Sequence, residues 1–509
     1  MGTKQYDSAT DLLTFSRASG GTALRKISYG NNLVTNGTFD TDLSGWTTDA
    51  EWVYSNGKAA LPANAGSNQS LSSTNAYVKA GKTYRVRFDA STSVGTPTYM
   101  KLRIWGNDNG TGSFIYNGNY ILTGSTEIFL SPTANGYVSF DNIVSNSFDK
   151  FIDNVSIEEV LYDQPDGTLQ LFNHGNNIPR IEYDATGAVK GLLIEEARAN
   201  VCTYSNDFGY QAYPTWILTN MTVTPNSEVS PDGTTNATKF DMASNGYTRK
   251  LTGHVPSVGE TYTFSVWIKA GTASEVKTAL LFSGGGLGYT LVTHTLTNEW
   301  QRFTVTSTVP SGTPDQVRAR FVATQAGTIF VYGAQVEAGA FPTSYIPTTG
   351  ATATRAADVA IIPRSSFGHH NEASTWVVEF TPTFPSVDTN QSVLYRNGSG
   401  YDFHIWSTSV GTMTAQFMNS TASPNSPITA NQTSKIAVML KNGEYLSVCV
   451  DGGSVSQNSV LSDTTVHTPT VVGWADVDYQ LGGDQLGHIK SIQYYPRRLT
   501  NTQLQELTT

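Results

Sequence analysis

The chain has 509 residues, of which 14% are charged, and its formal net charge is −10. A chain this long is too large to fold around a single hydrophobic core, so the sequence predicts three or more domains. It has no Lys/Arg-rich run and no apolar stretch near the roughly 18 residues of a membrane span, so neither a nucleic-acid partner nor membrane insertion is expected.

The first 31 residues lack the basic-then-apolar pattern of a secretion signal, so no export is expected. Residues 1–31 and 162–198 flank a longer unit, 32–161, and neither flank is long enough to bury a core alone. Insertion of a domain is tolerated at exposed turns with nearby ends. The sequence therefore predicts that the two flanks pair as one small, interrupted β element, with 1–31 as an attachment segment.

Two parts of the chain repeat the same signals in the same order. The matched stretches are NLVTNGTFDTDLSGWTT at 32–48 with NVCTYSNDFGYQAYPTWILTN at 200–220, AGKTYRVRFDAST at 80–92 with VGETYTFSVWIKAGT at 258–272, and FIDNVSIEEV at 151–160 with FVYGAQVEAG at 330–339. Self-similarity at a constant offset indicates duplicated structural units. The sequence predicts two diverged β-sandwiches, at 32–161 and 199–349, with Phe151 and Phe330 at matching positions.

A third β-sandwich is expected at 370–509, and the chain closes on one short helix. Alternating strands and frequent Gly, Pro and Asn turns are typical of sandwiches. In LTNTQLQELTT, Thr500 is a candidate N-cap and Gln503 completes a capping box. The predicted fold class is all-β, with tandem jelly-roll-type β-sandwiches and one short C-terminal helix.

The two cysteines are too few for a disulfide framework or a Cys-rich metal site. Both Cys202 and Cys449 are expected to be small buried apolar residues. On its strand, Cys449 is expected to face away from Val448 and Val450.

The first repeated unit resembles the family 4/9 carbohydrate-binding modules. The residues that carry the resemblance are Asn-Gly-Thr-Phe-Asp at 36–40, Gly45-Trp46, and Phe-Ile-Asp-Asn-Val-Ser at 151–156. The resemblance implies a jelly-roll sandwich, glycan binding on aromatic side chains, and a packed Trp46.

The same resemblance implies a structural calcium ion held near the two ends of the first unit. Its candidate ligands are Asp40 and Asp153, since hard cations prefer carboxylate and carbonyl oxygens. The second unit has Tyr332 at the position of Asp153, so it lacks that calcium ligand. Asp207 and Glu337 could still serve as ligands in the second unit.

The remaining segments resemble structural proteins of tailed bacteriophages. They are FSRASGGTALRK, NIPRIEYDATGAVKGLLIEEARANVCTYSNDF, GAQVEAGAFPTSYIPTTGATATRAAD and GHIKSIQYYPRRLTNTQLQELT. The last segment, with LSVCVDGG, makes 370–509 similar to concanavalin/laminin-G-type sandwiches. The resemblance implies a virion protein of the tail-fibre, tail or head-decoration type, assembled in the host cytoplasm. Its expected partners are other virion proteins, bacterial surface polysaccharide for host attachment, and further copies of itself in a trimer.

Five aromatic residues are candidate sugar platforms, because flat aromatic faces stack on the apolar faces of sugars while amides and carboxylates bond the hydroxyls. They are Trp52, Tyr54, Trp105, Tyr116 and Trp267. Asn107, Asp108 and Asn109 could supply polar contacts, although ordinary turn chemistry also explains them.

No catalytic motif is present, and the adjacent His369 and His370 would point apart on a strand. We therefore expect a non-enzyme whose sandwiches contact glycans. A purely structural decoration or spacer protein without a ligand is the alternative. A polysaccharide-degrading enzyme is less favoured, because it would require a cleft with two carboxylates about 5–10 Å apart.

Overall fold

A computed structural model describes residues 13–509 except 95–98, 107–113, 122–123, 143–146, 210–215, 285–287, 364–365, 368–372, 384–390, 397–402, 409–410, 418–419, 425, 442, 460–478 and 482–486. The chain divides into two compact units, Lys26–Thr168 and Met1–Arg25 with Leu169–Thr509. The regular secondary structure of its described part is almost entirely β-strand, which confirms the predicted fold class. No helix among the described residues is both long and apolar enough to span a bilayer.

The unit Lys26–Thr168 is a sandwich of two antiparallel sheets. Its strands are β2 (Gly21–Asn32), β3 (Trp46–Thr48), β4 (Val53–Tyr54), β5 (Ala59–Leu61), β6 (Gln69–Val78), β7 (Tyr84–Thr92), β8 (Tyr99–Trp105), β9 (Phe114–Ile121), β10 (Gly124–Leu130), β11 (Gly136–Asn142) and β12 (Lys150–Tyr162). One sheet has the order β10-β7-β12-β2, with β5 also on β12 and β4 on β5; the other has the order β3-β6-β11-β8-β9. Apolar side chains of both sheets, including Phe39, Trp46 and Phe88, form the core between them.

The second repeated unit forms one strongly curved sheet that encloses its own core. Its strands are β17 (Trp216–Glu228), β18 (Ala237–Leu251), β19 (Thr261–Ala270), β20 (Glu275–Ser283), β21 (Tyr289–Thr295), β22 (Gln301–Thr308), β23 (Gln316–Ala323) and β24 (Gly327–Ala338). Their order is β21-β20-β23-β18-β24-β19-β22, with β17 on β18. The long β18 pairs with β24 through its first half and with β23 through its second, so it joins both sides of the sandwich.

The C-terminal sandwich is built from strands that lie far apart in the chain. Its strands are β1 (Thr14–Ser16), β14 (Ile181–Tyr183), β15 (Val189–Ile194), β26 (Val359–Ile362), β27 (Ala373–Pro382), β28 (Gln391–Arg396), β29 (Phe403–Ser407), β30 (Met413–Phe417), β31 (Ser420–Ala422), β32 (Ser434–Lys441), β33 (Tyr445–Val450), β34 (Ser456–Ser459), β35 (Tyr479–Leu481) and β36 (Gly487–Tyr495). The two sheet orders are β1-β26-β35-β28-β29-β30-β31 and β14-β15-β36-β27-β32-β33-β34.

These sheets revise the interpretation of the two flanking segments. The flanks do pair with each other, through β2 and β13 (Thr168–His174). Their strands β1, β14 and β15, however, belong to the sheets of the C-terminal sandwich, and Phe15 and Leu192 are buried in its core. The reason is that two short flanks gain more burial by completing an existing core than by forming one of their own.

A two-stranded sheet and a buried ion cluster join the segments between the second and C-terminal sandwiches. The sheet consists of β16 (Arg198–Asn200) and β25 (Ala353–Arg355). Asp358, whose side chain is fully buried, accepts from Arg17 at 3.0 Å and also from Arg180. Arg180 in turn contacts Glu195 at 2.9 Å. Since the cluster links four separated parts of the chain, it fixes how they pack.

The helix α1 (Asn501–Thr508) is the one α-helix among the described residues, and it begins as the sequence predicts. The side chain of Thr500 accepts from the backbone N–H of Gln503, whose side chain accepts from the backbone N–H of Thr500. Leu504 is buried against the outer side of β32 and β33, where it meets Cys449.

The hairpin of β32 and β33 separates its side chains as predicted. Val448 and Val450 belong to the core between the sheets, whereas Cys449 lies on the other side, within 3.3 Å of the Thr508 hydroxyl. Cys202 and Cys449 are both buried and free, which confirms the prediction for the cysteines.

The two repeated units share details that the repeat predicts. Phe39 and Trp46 in the first have ring centroids 5.3 Å apart, and Phe208 and Trp216 in the second have centroids 5.0 Å apart. All four residues are buried, so Trp46 is part of the core as predicted. The domain boundaries at 32–161, 199–349 and 370–509 stay predictions.

Candidate functional site

The outer face of the sheet β10-β7-β12 carries an open groove in the first sandwich. Along β7, Val86, Phe88 and Ala90 are buried in the core, so the alternate residues Arg87 and Asp89 point outward. A depression of about 590 Å³ lies over these residues. It is lined by Asn32, Thr38, Arg87, Phe88, Asp89, Ser125, Thr126, Glu127, Asn154, Val155 and Ser156.

A second, smaller depression of about 220 Å³ shares Asp89 and Ser125 with the first. Lys58, Phe151 and Asp153 line its other side. We call the two depressions together the Asp89 groove. Because they share residues, the two depressions adjoin each other.

Asp89 lies at the centre of the groove and both of its carboxylate oxygens are engaged. The Ser125 hydroxyl donates to Oδ1 at 2.5 Å, and the Asn154 amide donates to Oδ2 at 2.6 Å. These two hydrogen bonds, with the positive charge of Lys58, lower the pKa of Asp89 below its usual value. Asp89 is thus a fixed, ionised acceptor at neutral pH.

A β-bulge in β12 aims Asn154 at Asp89. The pairing of β12 with β7 shifts between Asp153 and Ser156, and Asn154 has a φ of 50°. The bulge is held from behind, because the N–H of Val155 donates to the carbonyl of Gly37 at 2.8 Å. A Cβ atom on Gly37 would lie 2.0 Å from the Val155 carbonyl oxygen, so only glycine fits there. The Asn-Gly of the opening motif therefore supports the groove.

Cationic and aromatic groups flank the central carboxylate. Arg87 donates to the Ser156 hydroxyl at 3.2 Å and keeps part of its guanidinium exposed. The Lys58 ammonium lies 6.0 Å from the centroid of the half-buried Phe151 ring. Carboxylate, amide, hydroxyl, guanidinium and an aromatic ring along one groove are the groups that bind sugar hydroxyls and stack on sugar faces.

Trp52 is not available as a platform, which corrects the prediction for this residue. It is 4% exposed and belongs to the core, whereas Tyr54 is 41% exposed. In a continuous strand, Trp52 and Tyr54 would lie on one face. The strand β4 begins only after Trp52, and the turn closed by the Trp52 N–H to the Asp49 carbonyl breaks the alternation. The Tyr54 hydroxyl donates to the Asp40 carbonyl at 3.1 Å.

Trp105 lies on β8, apart from the Asp89 groove, and is half-buried. Its indole N–H donates to Asp141 at 3.0 Å, and the Arg103 guanidinium carbon is 5.5 Å from its ring. Tyr116 lies on β9, next to β8, but its side chain and the turn residues 107–109 are outside the described residues, as are His369 and His370.

Trp267 takes the place in the second sandwich that Asp89 takes in the first. Asp89 is paired with Ser125 and Asp153 on the adjacent strands, and Trp267 is paired with Arg302 and Tyr332. The guanidinium carbon of Arg302 lies 4.4 Å from the Trp267 ring centroid, so a sugar would have to displace Arg302 to stack on that side.

The rest of this equivalent face is covered by the chain itself. Tyr345 is 2% exposed, and its ring centroid lies 5.7 Å from that of Trp267 and 5.6 Å from that of Tyr332. The Tyr332 hydroxyl donates to Asp232 at 2.9 Å. The face that forms an open groove in the first sandwich is therefore an internal packing face in the second.

Among the described residues, no group of three or more His, Cys, Asp and Glu side chains could hold a metal ion. Asp40 is exposed, and Asp153 accepts from the N–H of Asn154 at 2.7 Å while lining the groove. In the second sandwich Glu337 is buried, which raises its pKa, and it accepts from Gln335 and Thr343. Calcium binding by Asp40 and Asp153 stays a prediction.

Of the groove residues, only Asp153 was predicted from the sequence as a site residue. Arg87, Asp89, Ser125 and Asn154 come from three strands, and their proximity depends on the sheet order. One signal was present in RVRFDAS, where charged residues alternate with apolar ones and mark an outward-facing row.

No protein-family model matches the chain, and no curated protein matches it. Among solved structures it is similar to the CBM40 of the Ruminococcus gnavus IT-sialidase bound to α2,3-sialyllactose, with 18% identity, 27% of this chain and 83% of that chain covered, and a TM-score of 0.22. It is also similar to the CBM22-1–CBM22-2 tandem of Paenibacillus barcinonensis Xyn10C, with 13% identity, 61% and 98% covered, and a TM-score of 0.23.

A sialidase of Trypanosoma rangeli is similar at 10% identity, with 91% of this chain and 83% of that chain covered and a TM-score of 0.23. At TM-scores this low, none of these likenesses is a basis for assigning function. The function is therefore inferred from the residues of the chain.

Proposed function

We propose that the protein is a non-enzymatic structural protein that contacts bacterial surface polysaccharide through the Asp89 groove of its first sandwich. The observation that carries the proposal is the pre-formed groove itself. It holds an ionised Asp89 fixed by Ser125 and Asn154, beside the exposed part of the Phe151 ring. A rigid polar group next to an aromatic face suits a ligand rich in hydroxyls.

The setting we propose is the virion of a tailed bacteriophage, as a tail-fibre, tail or head-decoration protein assembled in the host cytoplasm. The sequence resemblance of the flanking and C-terminal segments supports this setting. Other virion proteins and further copies of the chain, arranged as a trimer, would be its partners. An acidic chain whose two cysteines are buried and free would join subunits by burying apolar surface rather than by disulfides.

Weak binding at each groove suffices for such a protein. An aromatic–sugar stack contributes on the order of 1 kcal/mol, so one site is expected to be millimolar to micromolar. Several copies held on one particle raise the overall avidity by orders of magnitude.

Hydrolysis is the second candidate, because Asp89 and Asp153 are directly opposed on neighbouring strands and line one depression. A glycoside hydrolase requires one carboxylic acid with a raised pKa to protonate the leaving group. The hydrogen bonds to Asp89 lower its pKa instead. Asp89 therefore does not supply that acid.

The test is calorimetry of the full chain against purified bacterial capsular and O-chain polysaccharides, with Asp89→Ala and Phe151→Ala as variants. We expect Asp89→Ala to weaken binding about tenfold and Phe151→Ala to weaken it about fivefold. Tyr54→Ala, an exposed aromatic residue that does not line the groove, is the matched control. If the native chain binds none of the polysaccharides, the spacer alternative is correct. Release of reducing ends from a bound polysaccharide would instead establish a hydrolase.

A further inference from the structure

A second outward-facing surface, on the second sandwich, carries an unusual group of cations. It lies on the outer side of the adjacent strands β17, β18, β23, β20 and β21. On β23, Val317, Ala319 and Phe321 point into the core, so Arg318 and Arg320 point outward. We define the arginine face by Arg249, Arg318, Arg320, Lys277, Tyr247 and Tyr289.

The strand register brings two of these arginines directly opposite each other. Tyr247 pairs with Val322 and Leu251 pairs with Arg318, which places Arg249 opposite Arg320. Like charges at directly opposed positions of an antiparallel pair are destabilising. A sheet chosen for stability alone would not be expected to place two arginines here.

In the described part of the chain, no carboxylate neutralises these side chains. Among the described residues, none of Arg249, Arg318, Arg320 and Lys277 forms an ion pair. The guanidinium carbon of Arg320 lies 4.4 Å from the Tyr247 ring centroid. Burial, together with repulsion from Arg249, lowers the pKa of Arg320, although Tyr247 and Tyr289 offset part of the effect.

Two lysines elsewhere on the surface of the same sandwich have acidic partners. Lys239, on the same strand as Arg249, pairs with Asp241 at 3.2 Å, and Lys269 pairs with Glu228 at 3.2 Å. The arginine face thus differs from these surface pairs within a chain whose net charge is −10. An unneutralised cationic patch on an acidic protein indicates an anionic ligand.

We propose that the arginine face binds a polysaccharide that carries carboxylate groups, such as a uronic-acid polymer. Guanidinium groups bind carboxylates through two parallel hydrogen bonds. Neighbouring strands lie about 4.8 Å apart, so the cations form a compact array along which a chain can lie. Tyr289, 64% exposed, offers a ring on which a sugar can stack.

Nucleic acid is the competing polyanion, and the charge balance argues against it. Duplex DNA carries one negative charge per about 1.7 Å of its axis, and a chain of net charge −10 repels such a polymer more strongly than a sparsely charged glycan. The four cations here form a small patch rather than a long basic stripe. This face is separate from the Asp89 groove, and its ligand does not depend on the groove.

The experiment uses the full chain and polygalacturonate oligomers, with binding measured by calorimetry at low and moderate ionic strength. The double variant R249Q/R320Q should bind at least about tenfold more weakly, since two charge-assisted contacts are lost. Tyr289→Ala, at an exposed position, should also weaken binding. Lys239→Gln removes a cation that is already paired on the same strand and should leave binding unchanged.

Three further measurements decide the ligand class. Polygalacturonate whose carboxyl groups have been reduced to alcohols should not bind, and Asp89→Ala should bind the native polymer normally. The R249Q/R320Q variant should unfold at the native temperature or above, because a repulsion has been removed. Absence of binding by the native chain, or equal binding by R249Q/R320Q, overturns the proposal. Tighter binding of a single-stranded oligothymidine than of polygalacturonate overturns it in favour of nucleic acid.

Discussion

Asn32 and Asn200 form the same pair of hydrogen bonds in the two repeated sandwiches. Asn32 Oδ1 accepts from the N–H groups of Val34 and Ile157 at 3.0 and 2.9 Å. Asn200 Oδ1 accepts from Cys202 and Val336, both at 3.0 Å. In each copy one asparagine connects the opening segment to the closing strand through hydrogen bonds. The repeat is therefore preserved down to individual hydrogen bonds.

We expect Asn200→Ala to destabilise its sandwich more than Asn32→Ala. Asn200 is fully buried and also donates to the carbonyls of Ala334 and Ile346, so its loss leaves buried groups without partners, at a cost of about 2–3 kcal/mol. Asn32 is exposed, so water can replace it and the cost should be about 1 kcal/mol. Amide hydrogen exchange at Val336 and Ile157 measures the two losses separately. Equal loss of protection in both variants would contradict the prediction.

Trp52→Ala should destabilise the first sandwich by about 3–5 kcal/mol, because it leaves a cavity in the core. Trp52→Phe should cost less, since the buried indole N–H has no hydrogen-bond partner among the described residues. Tyr54→Ala, two residues away and exposed, should have little effect. Urea unfolding followed by tryptophan fluorescence provides the measurement. A small effect of Trp52→Ala would mean that Trp52 is not a core residue.

Asp358→Ala should destabilise the unit Met1–Arg25 with Leu169–Thr509 by about 3–5 kcal/mol. The substitution leaves Arg17 and Arg180 buried without their common carboxylate. Asp315→Ala, at an exposed aspartate, is the control. Thermal unfolding should show the loss as a lower midpoint for Asp358→Ala alone. Similar midpoints for both variants would show that the ion cluster contributes little.

The stability of the C-terminal sandwich should fall in acid through Glu182. Burial alone would raise the pKa of Glu182, but the hydrogen bond and charge of His488, with Lys190, lower it to about 2 from 4.5. A lowered carboxyl pKa stabilises the folded state above the unfolded-state pKa, and this contribution is lost as pH falls from about 4.5 towards 2. Glu182→Gln should flatten this part of the pH profile of unfolding, whereas Glu299→Gln, at an exposed position, should not. An unchanged profile in Glu182→Gln would exclude this carboxylate as the cause.

Local patterns in the sequence predicted local features well. The capping box of Thr500 and Gln503 and the opposite facing of Cys449 and Val448 depend on residues close together in the chain, and both are present. The prediction of Trp52 as a sugar platform was wrong because a turn precedes the strand, which begins only after Trp52.

Features that depend on sheet order could not be read from periodicity. Ser125 and Asn154 meet Asp89 only because β10 and β12 flank β7. Likewise, nothing in the local sequence of β1 or β15 indicates that their partners are β26 and β36. The repeat was visible because both copies retain the same core and hydrogen-bonding residues.

The strands of the C-terminal sandwich lie far apart in the sequence, so they become available for pairing at different times during synthesis. Leu192 of β15 pairs with Ile489 of β36, and 489 − 192 = 297 residues separate them. At a synthesis rate of about 5–20 residues per second, β15 leaves the ribosome roughly 15–60 s before its partner exists. During that time β15 presents an unpaired edge, while the first sandwich can already close around its own core. A ribosome that stalls before β36 would therefore release a chain with two finished sandwiches and an incomplete third one, whose exposed strand edges chaperones would be expected to bind.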